Sequence, residues 1–115
     1  MHDITYAKEI VRAVNARRQS LPRASRVTGV HVRISPLSHV TVRSLTDAFR
    51  QMVGGTDLEH LALRVEPLPV KMRCAACGAI FEITAPAFAC AQCASSSISI
   101  ADDREFVVDS MEVED

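Results

Sequence analysis

The chain has 115 residues, a formal net charge of −1, four cysteines, one tyrosine and no tryptophan. That length gives one domain, or one domain with a small satellite, and a core modest enough that a bound metal would help it. Leu, Ile, Val and Phe together supply 31 residues, too many for a disordered chain, and no apolar run nears the ~18 residues a membrane helix needs. The opening Met1-His2-Asp3 leads into an amphipathic stretch and does not read as a secretory signal. The expected compartment is therefore the cytoplasm, where four cysteines point to metal before disulfides.

Charge is divided along the chain. Residues 1–73 carry 12 Lys+Arg against 6 Asp+Glu, and residues 74–115 carry 1 against 8. Several of the arginines cluster between Arg12 and Arg33. A basic half of this kind fits a nucleic-acid or acidic-partner surface, but an ordinary solvated face is the plainer reading.

The first helix is expected from Asp3 or Thr5, either of which caps free N–H groups. Ala7, Ile10, Val11 and Val14 then share a face, and Arg17 and Arg18 suit the negative end of the helix dipole. Leu21-Pro22 marks a stop, with Arg18 to Arg26 read as loop. Val30, Val32 and Ile34 alternate with His31 and Arg33, which predicts a strand with one buried face. Thr41 should cap a second helix over about Val42 to Met52, with Val42, Leu45, Phe49 and Met52 as its apolar stripe and Gly54-Gly55 as its end. Leu61, Leu63 and Val65 alternate as a second strand, closed by Pro67 and Pro69. Residues 71–103 change character to four Cys, small residues and short strand-like pieces. Arg104 to Glu114 turns extended again and is expected to rejoin the first sheet. The expected fold is α+β: two helices packed on a small three-stranded sheet, residues 1–70 with 104–115, interrupted by a cysteine module over 71–103.

Cys74, Cys77, Cys90 and Cys93 give C-x₂-C-x₁₂-C-x₂-C. Each pair lets one short turn aim two sulfurs at a common point, and two such turns supply four thiolates at ~2.3 Å from a tetrahedral Zn²⁺. Gly78 follows the first pair and suits the positive φ such a turn often needs. Ala94 holds the matching place after the second pair and is less typical there. Ile80, Phe81 and Ile83 can form a strand, with Ile98 and Ile100 returning. Disulfides, iron–sulfur ligation and a thioredoxin-like redox site are the alternatives, and the compartment and the spacing disfavour them. A Cys₄ site is closed to water, so it argues for structure and not hydrolysis.

His2, the Met1 amine and the His2 amide nitrogen can all reach one ion. Amine and amide close a five-membered ring, and amide and imidazole Nδ1 a six-membered one. Another backbone nitrogen or the Asp3 carboxylate would complete a square, which favours Ni(II) or Cu(II) over zinc. On spacing alone, a frayed terminal histidine remains the plainer reading. His31, His39 and His60 read as surface or satisfied histidines, His39 being the least improbable extra ligand. No GxSxG, HExxH or phosphate-binding glycine loop is present, and no catalytic set emerges.

Together these residues resemble the HypA/HybF family of hydrogenase maturation proteins. The resemblance runs through Met1-His2-Asp3, the helix–strand–helix–strand order, LTDAFRQMVGG at Leu45 to Gly55 with Leu58-Glu59, RCAACGAIFE at Arg73 to Glu82, the second cysteine pair and the closing REFVVDSMEVE. It implies a nickel metallochaperone for nickel–iron hydrogenase assembly, and sometimes for urease, and not an enzyme. It implies nickel ligation by the Met1 amine, the His2 side chain and the backbone nitrogens of His2 and Asp3, with structural zinc on the four cysteines. It also implies a HypB-type GTPase partner and transfer to a hydrogenase large subunit. Position 3 is usually Glu in that family and is Asp3 here; some members carry an acid where this chain has Thr41. The residues by themselves leave two rivals, a zinc-ribbon nucleic-acid-binding protein and a redox or zinc-sensing protein.

Overall fold

The computed structural model describes residues 2–102 and 104–115. Helix α1 spans His2–Ser20, followed by β1 (Arg26–Ile34), α2 (Val42–Val53), β2 (Ala62–Pro67), β3 (Val70–Cys74), β4 (Ile80–Ile83), β5 (Ile98–Ile100) and β6 (Phe106–Glu114). The chain divides into two compact units. The first holds the chain up to Arg33, His39–Glu66 and Val108–Asp115; the second holds Ile34–Ser38 and Pro67–Val107. Among the described residues no helix is long and apolar enough to cross a membrane.

In the first unit α1 packs on α2, and the sheet order is β2-β1-β6. The last strand therefore pairs with β1, as expected. Ala7, Ile10 and Val14 of α1 and Val30 and Val32 of β1 are fully buried, and Val11 is half-buried. The stripe of α2 keeps Leu45 and Phe49 of the predicted set and differs at its two ends. Leu45, Phe49 and Val53 are buried, whereas Met52 is half-buried and Val42, the first helical residue, is 56% exposed. Thr41 does cap α2. Its Oγ1 accepts from the Ser44 N–H and the Ser44 Oγ accepts from the Thr41 N–H, both at 3.0 Å, which satisfies two donors reciprocally. Gly54 donates to Arg50 O, but the left-handed residue is Gly55, at φ +76°.

Helix α1 ends at Ser20, just before the predicted Leu21-Pro22 stop, and takes in residues 18–20, which the sequence assigns to the loop. Residues 15–20 are all exposed, so packing does not extend it. Arg17 and Arg18 in the last turn complement the helix dipole, Arg18 reaches Asn15 Oδ1 at 3.1 Å, and Ser20 Oγ donates to Arg17 O.

The divided charge is partly resolved inside this sheet. Acidic β6 lies beside basic β1, with Arg26 facing Glu114, His31 facing Glu112 at 2.9 Å, and Arg33 facing Asp109 and, from β2, Glu66. Each such exposed cross-strand pair contributes about 0.2–1 kcal/mol, so they select the register more than they stabilise it. His31 lies on the polar face, as its alternation predicts.

The second unit is built on β3, a strand not among the expected ones, directly after the prolines that close β2. Val70, Met72 and Cys74 point to its buried side, and Lys71 and Arg73 point out. The expected strands at Ile80–Ile83 and Ile98–Ile100 both form, but they flank β3 in the order β4-β3-β5. Met72 stands opposite Phe81 on one side and Ile100 on the other. Val70, Met72 and Ile83 form the small core, with Leu37, Phe81, Ala87 and Ile98 packed against it. Ile34–Ser38 is held there by backbone bonds from Leu68 N–H to Ile34 O and from Ser35 N–H to Glu105 O, each 2.8 Å.

Candidate metal centre

Cys74 is the last residue of β3, and Cys77 follows in a tight turn. The Gly78 N–H donates to Cys74 O at 2.9 Å, and the Cys74 N–H donates to Ala79 O at 2.9 Å. The second turn repeats the pattern: Ala94 N–H to Cys90 O at 3.0 Å, and Cys90 N–H to Ser95 O at 2.8 Å. Both turns place the residue after the second cysteine in the left-handed region, Gly78 at φ +76° and Ala94 at φ +64°. The less typical Ala94 thus adopts the conformation its position requires, at some cost in strain.

The two turns bring all four sulfurs to one point. Cys74 Sγ lies 3.6 Å from Cys93 Sγ, and Cys77 Sγ lies 3.7 Å from Cys90 Sγ. All four lie within 4.8 Å of one another. A tetrahedron of sulfurs at ~2.3 Å from a central ion has edges of about 3.8 Å, so the donor set fits Zn²⁺. A disulfide needs sulfurs about 2.05 Å apart, and none of the four cysteines is bonded so. Cys74 and Cys90, one from each turn, are buried, while Cys77 and Cys93 are exposed.

Electrostatics inside the cluster are uneven. The N–H groups of Cys93 and Gln92 point at Cys90 Sγ and hold its thiol down at about 6 against burial. Backbone N–H groups of Cys77 and Ala76 lower Cys74 as well. At Cys93 the Ser95 N–H pulls the other way, but Cys74, burial and the remaining two sulfurs prevail and raise the thiol to about 12. Cys77 is also raised: the Ala79 N–H lowers it, and burial with the neighbouring Cys90 and Cys74 outweighs that. Four adjacent sulfurs cannot all ionise without a cation among them, which is the environment a divalent metal stabilises.

The N-terminal candidates lie apart in character. His2 opens α1 and is exposed, with its ring edge-on to Tyr6 at 6.4 Å between centroids. Asp3 is half-buried, and its Oδ1 accepts from the Ile4 N–H at 2.9 Å. Met1 lies outside the described residues. Asp3 also lines a cavity of about 470 Å³ with Ser44, Asp47 and Gln51 of α2. That neighbourhood carried no signal in the sequence, because the packing of α1 on α2 creates it. Thr41 is engaged in its capping box, and His39 and His60 are exposed. Among the described residues, the four cysteines are the only group of three or more His, Cys, Asp or Glu side chains drawn together as a metal site. No other histidine joins His2 in such a group.

The chain matches known proteins over nearly its whole length. A family model described as "Hydrogenase/urease nickel incorporation, metallochaperone, hypA" matches residues 1–113. The hydrogenase maturation factor HypA of Chlorobium limicola is 33% identical over 115 residues, covering 100% of this chain and 98% of that protein. Its counterpart from Desulfosudis oleivorans is 31% identical over 115 residues, covering 100% of both. The solution structure of the Ni metallochaperone HypA from Helicobacter pylori shares the fold, with a TM-score of 0.63 at 17% identity over 96% of this chain and 95% of that one.

Proposed function

The chain belongs to the HypA family of hydrogenase/urease nickel-incorporation metallochaperones, and on that premise we propose that it captures Ni(II) at its N-terminus and delivers it for maturation of a nickel–iron hydrogenase, urease being the alternative client. The observation that carries this reading is the extent of the family match, residues 1–113, which takes in the opening Met1-His2-Asp3. The ligands are the Met1 amine, the His2 imidazole and the backbone nitrogens of His2 and Asp3. Four nitrogens in a square favour Ni(II) over zinc. The position of His2 and Asp3 at the start of α1 supports the set. The first N–H groups of a helix have no carbonyl partner within it, so these two amides give up their protons without breaking a helical bond of their own.

Nickel is cargo, and the protein performs no reaction on it. Zinc is the resident ion, held by Cys74, Cys77, Cys90 and Cys93. When bound, it supplies a fixed cross-link between the two cysteine turns and no open coordination position. The chain's own residues do the rest. The turns around Cys74 and Cys90 fix the sulfurs, and the terminus of α1 opens and closes on nickel while the core stays folded. Receipt and hand-over then proceed by ligand exchange with a HypB-type GTPase and a hydrogenase large subunit or its maturation complex, in the cytoplasm.

Nickel titration of zinc-loaded protein tests the terminal site, with His2→Ala and a version extended before Met1 alongside. The native protein should take up one nickel with a square-planar absorption spectrum, and both variants should lose it. Equal binding by all three would move the site elsewhere and sink the assignment of His2.

A further inference from the structure

The far end of α1 carries a surface that neither metal uses. Two adjoining cavities share Asn15 and Gln19. The first, about 450 Å³, has Val11 and Met52 in its lining, with Lys8 and Arg12 beside them. The second, about 590 Å³, is lined by Leu21 and Pro22 with Arg18, Arg23 and Arg26. Val11, Leu21 and Met52 are half-buried, so the trough offers aliphatic surface flanked by cations. The side chains of Lys8, Arg12, Arg17 and Arg23 have no ion pair or hydrogen bond among the described residues. Residues 15–20 are fully outside the core, so this stretch of helix is displayed and supports no packing of its own.

The protein already seats carboxylates on this surface. Asp57 pairs with Arg18. Glu114 lies 4.0 Å from Arg26, and Asp115 Oδ1 accepts from Ser25 Oγ at 2.6 Å. Arginine binds carboxylates through a rigid fork of donors, and the arginines that remain open are of the same kind. We propose that the trough along α1, from Lys8 to Arg26, docks an acidic amphipathic segment of a partner protein, with aliphatic side chains on Val11, Leu21 and Met52 and carboxylates on Arg12 and Arg23. The aliphatic lining favours a polypeptide over nucleic acid, because no aromatic side chain lines either cavity to stack a base. Charge complementarity of this sort sets encounter rate and partner choice. The surface does not depend on the nickel reading, since none of the residues that line it is a proposed ligand.

The test is selection from a displayed library of short random peptides against zinc-loaded full-length protein. Selected peptides should be acidic with regularly spaced aliphatic residues, and should shift the amide resonances of Lys8 to Arg26. They should bind Arg12→Glu/Arg23→Glu roughly tenfold more weakly at low salt. The variant's melting temperature should be unchanged, because both side chains are exposed. Replacing the peptides' aliphatic residues by Ser should also weaken binding. Peptides without acidic bias, or with equal affinity for the variant, would overturn the proposal. So would displacement of a selected peptide by oligouridylate or inorganic triphosphate at lower concentration, which would make the surface a nucleic-acid or anion site. Concentration-dependent shifts of the same resonances without peptide would assign it to a second copy of the chain instead.

Discussion

The paired cysteine turns each end on an exposed residue whose backbone conformation decides its cost. Gly78 and Ala94 occupy equivalent places, at φ +76° and +64°. A Cβ built on Gly78 meets no atom within 4 Å, so Gly78→Ala changes the backbone energy alone. A left-handed residue with a Cβ costs about 1–2 kcal/mol. The extra freedom of glycine in the unfolded chain offsets about 0.4–1 kcal/mol of that. Gly78→Ala should therefore destabilise the zinc-bound turn by about 0.5–1 kcal/mol, and Ala94→Gly should stabilise its counterpart by the same amount. Because metal-binding free energy is folding free energy in such a unit, the change appears in zinc affinity, about threefold down for the first variant and about threefold up for the second. The double variant should return close to the parent. Competition against a chromophoric chelator at fixed pH measures all three. If Ala94→Gly holds zinc more weakly than the parent, the left-handed strain assigned to Ala94 is wrong, and the two turns are not equivalent.

Proton release accompanies zinc uptake, because Cys77 and Cys93 are raised and still hold their protons at neutral pH, whereas Cys90, at about 6, has lost its own. The metal must displace at least those two protons, so apparent affinity should rise about 100-fold per pH unit near neutrality and fall as the solution is acidified; a slope near zero in a chelator titration would contradict it. Thr41→Ala removes the acceptor of the α2 capping box and should cost about 1 kcal/mol in urea unfolding. Ser44→Ala should cost less, since it leaves the Ser44 N–H bonded to Thr41.

What the sequence made legible is what local chemistry decides. Alternation at Val30, Val32 and Ile34 reports its own buried face. Thr41 before an amphipathic run reports a helix start, and two C-x₂-C pairs report convergent sulfurs. The misses share a different cause. β3 was hidden because Pro67 and Pro69 read as a terminus, yet Val70, Met72 and Cys74 alternate across the next five residues and take the centre of the second sheet. Strand order is tertiary, so nothing in Ile80–Ile83 or Ile98–Ile100 says that each pairs with β3 and not with the other. Val53 displaces Met52 from the core because packing against α1 fixes how α2 is rotated, and two stripes one residue apart are nearly equal in pattern. The Leu21-Pro22 stop is legible, but the helical state of residues 18–20 rests on dipole and side-chain contacts that hydrophobic periodicity does not register.

The proposed nickel site and the structure of α1 make conflicting demands on the same residues, and the conflict is measurable. In the structure the His2 ring lies edge-on to Tyr6, one helical turn away, while Asp3 turns its carboxylate to the Ile4 N–H. Capture of nickel by the His2 imidazole and the His2 and Asp3 amides draws that ring toward the terminus, away from Tyr6. Planar chelate rings through the His2 and Asp3 nitrogens need a flatter backbone at His2 than helical φ and ψ give, so the first turn opens as the rings close although neither amide gives up a helical bond. Tyr6 is the only tyrosine and the chain has no tryptophan, so its near-ultraviolet circular dichroism is not masked by a stronger chromophore. Nickel should therefore change the Tyr6 signal and reach its endpoint at one equivalent. His2→Ala should begin with an altered signal and should not respond to nickel. The amide protons must leave, so the response should strengthen as pH rises. A nickel complex of full stoichiometry that leaves Tyr6 unmoved would mean that the imidazole is not a ligand, and the terminal square would have to be rebuilt without it.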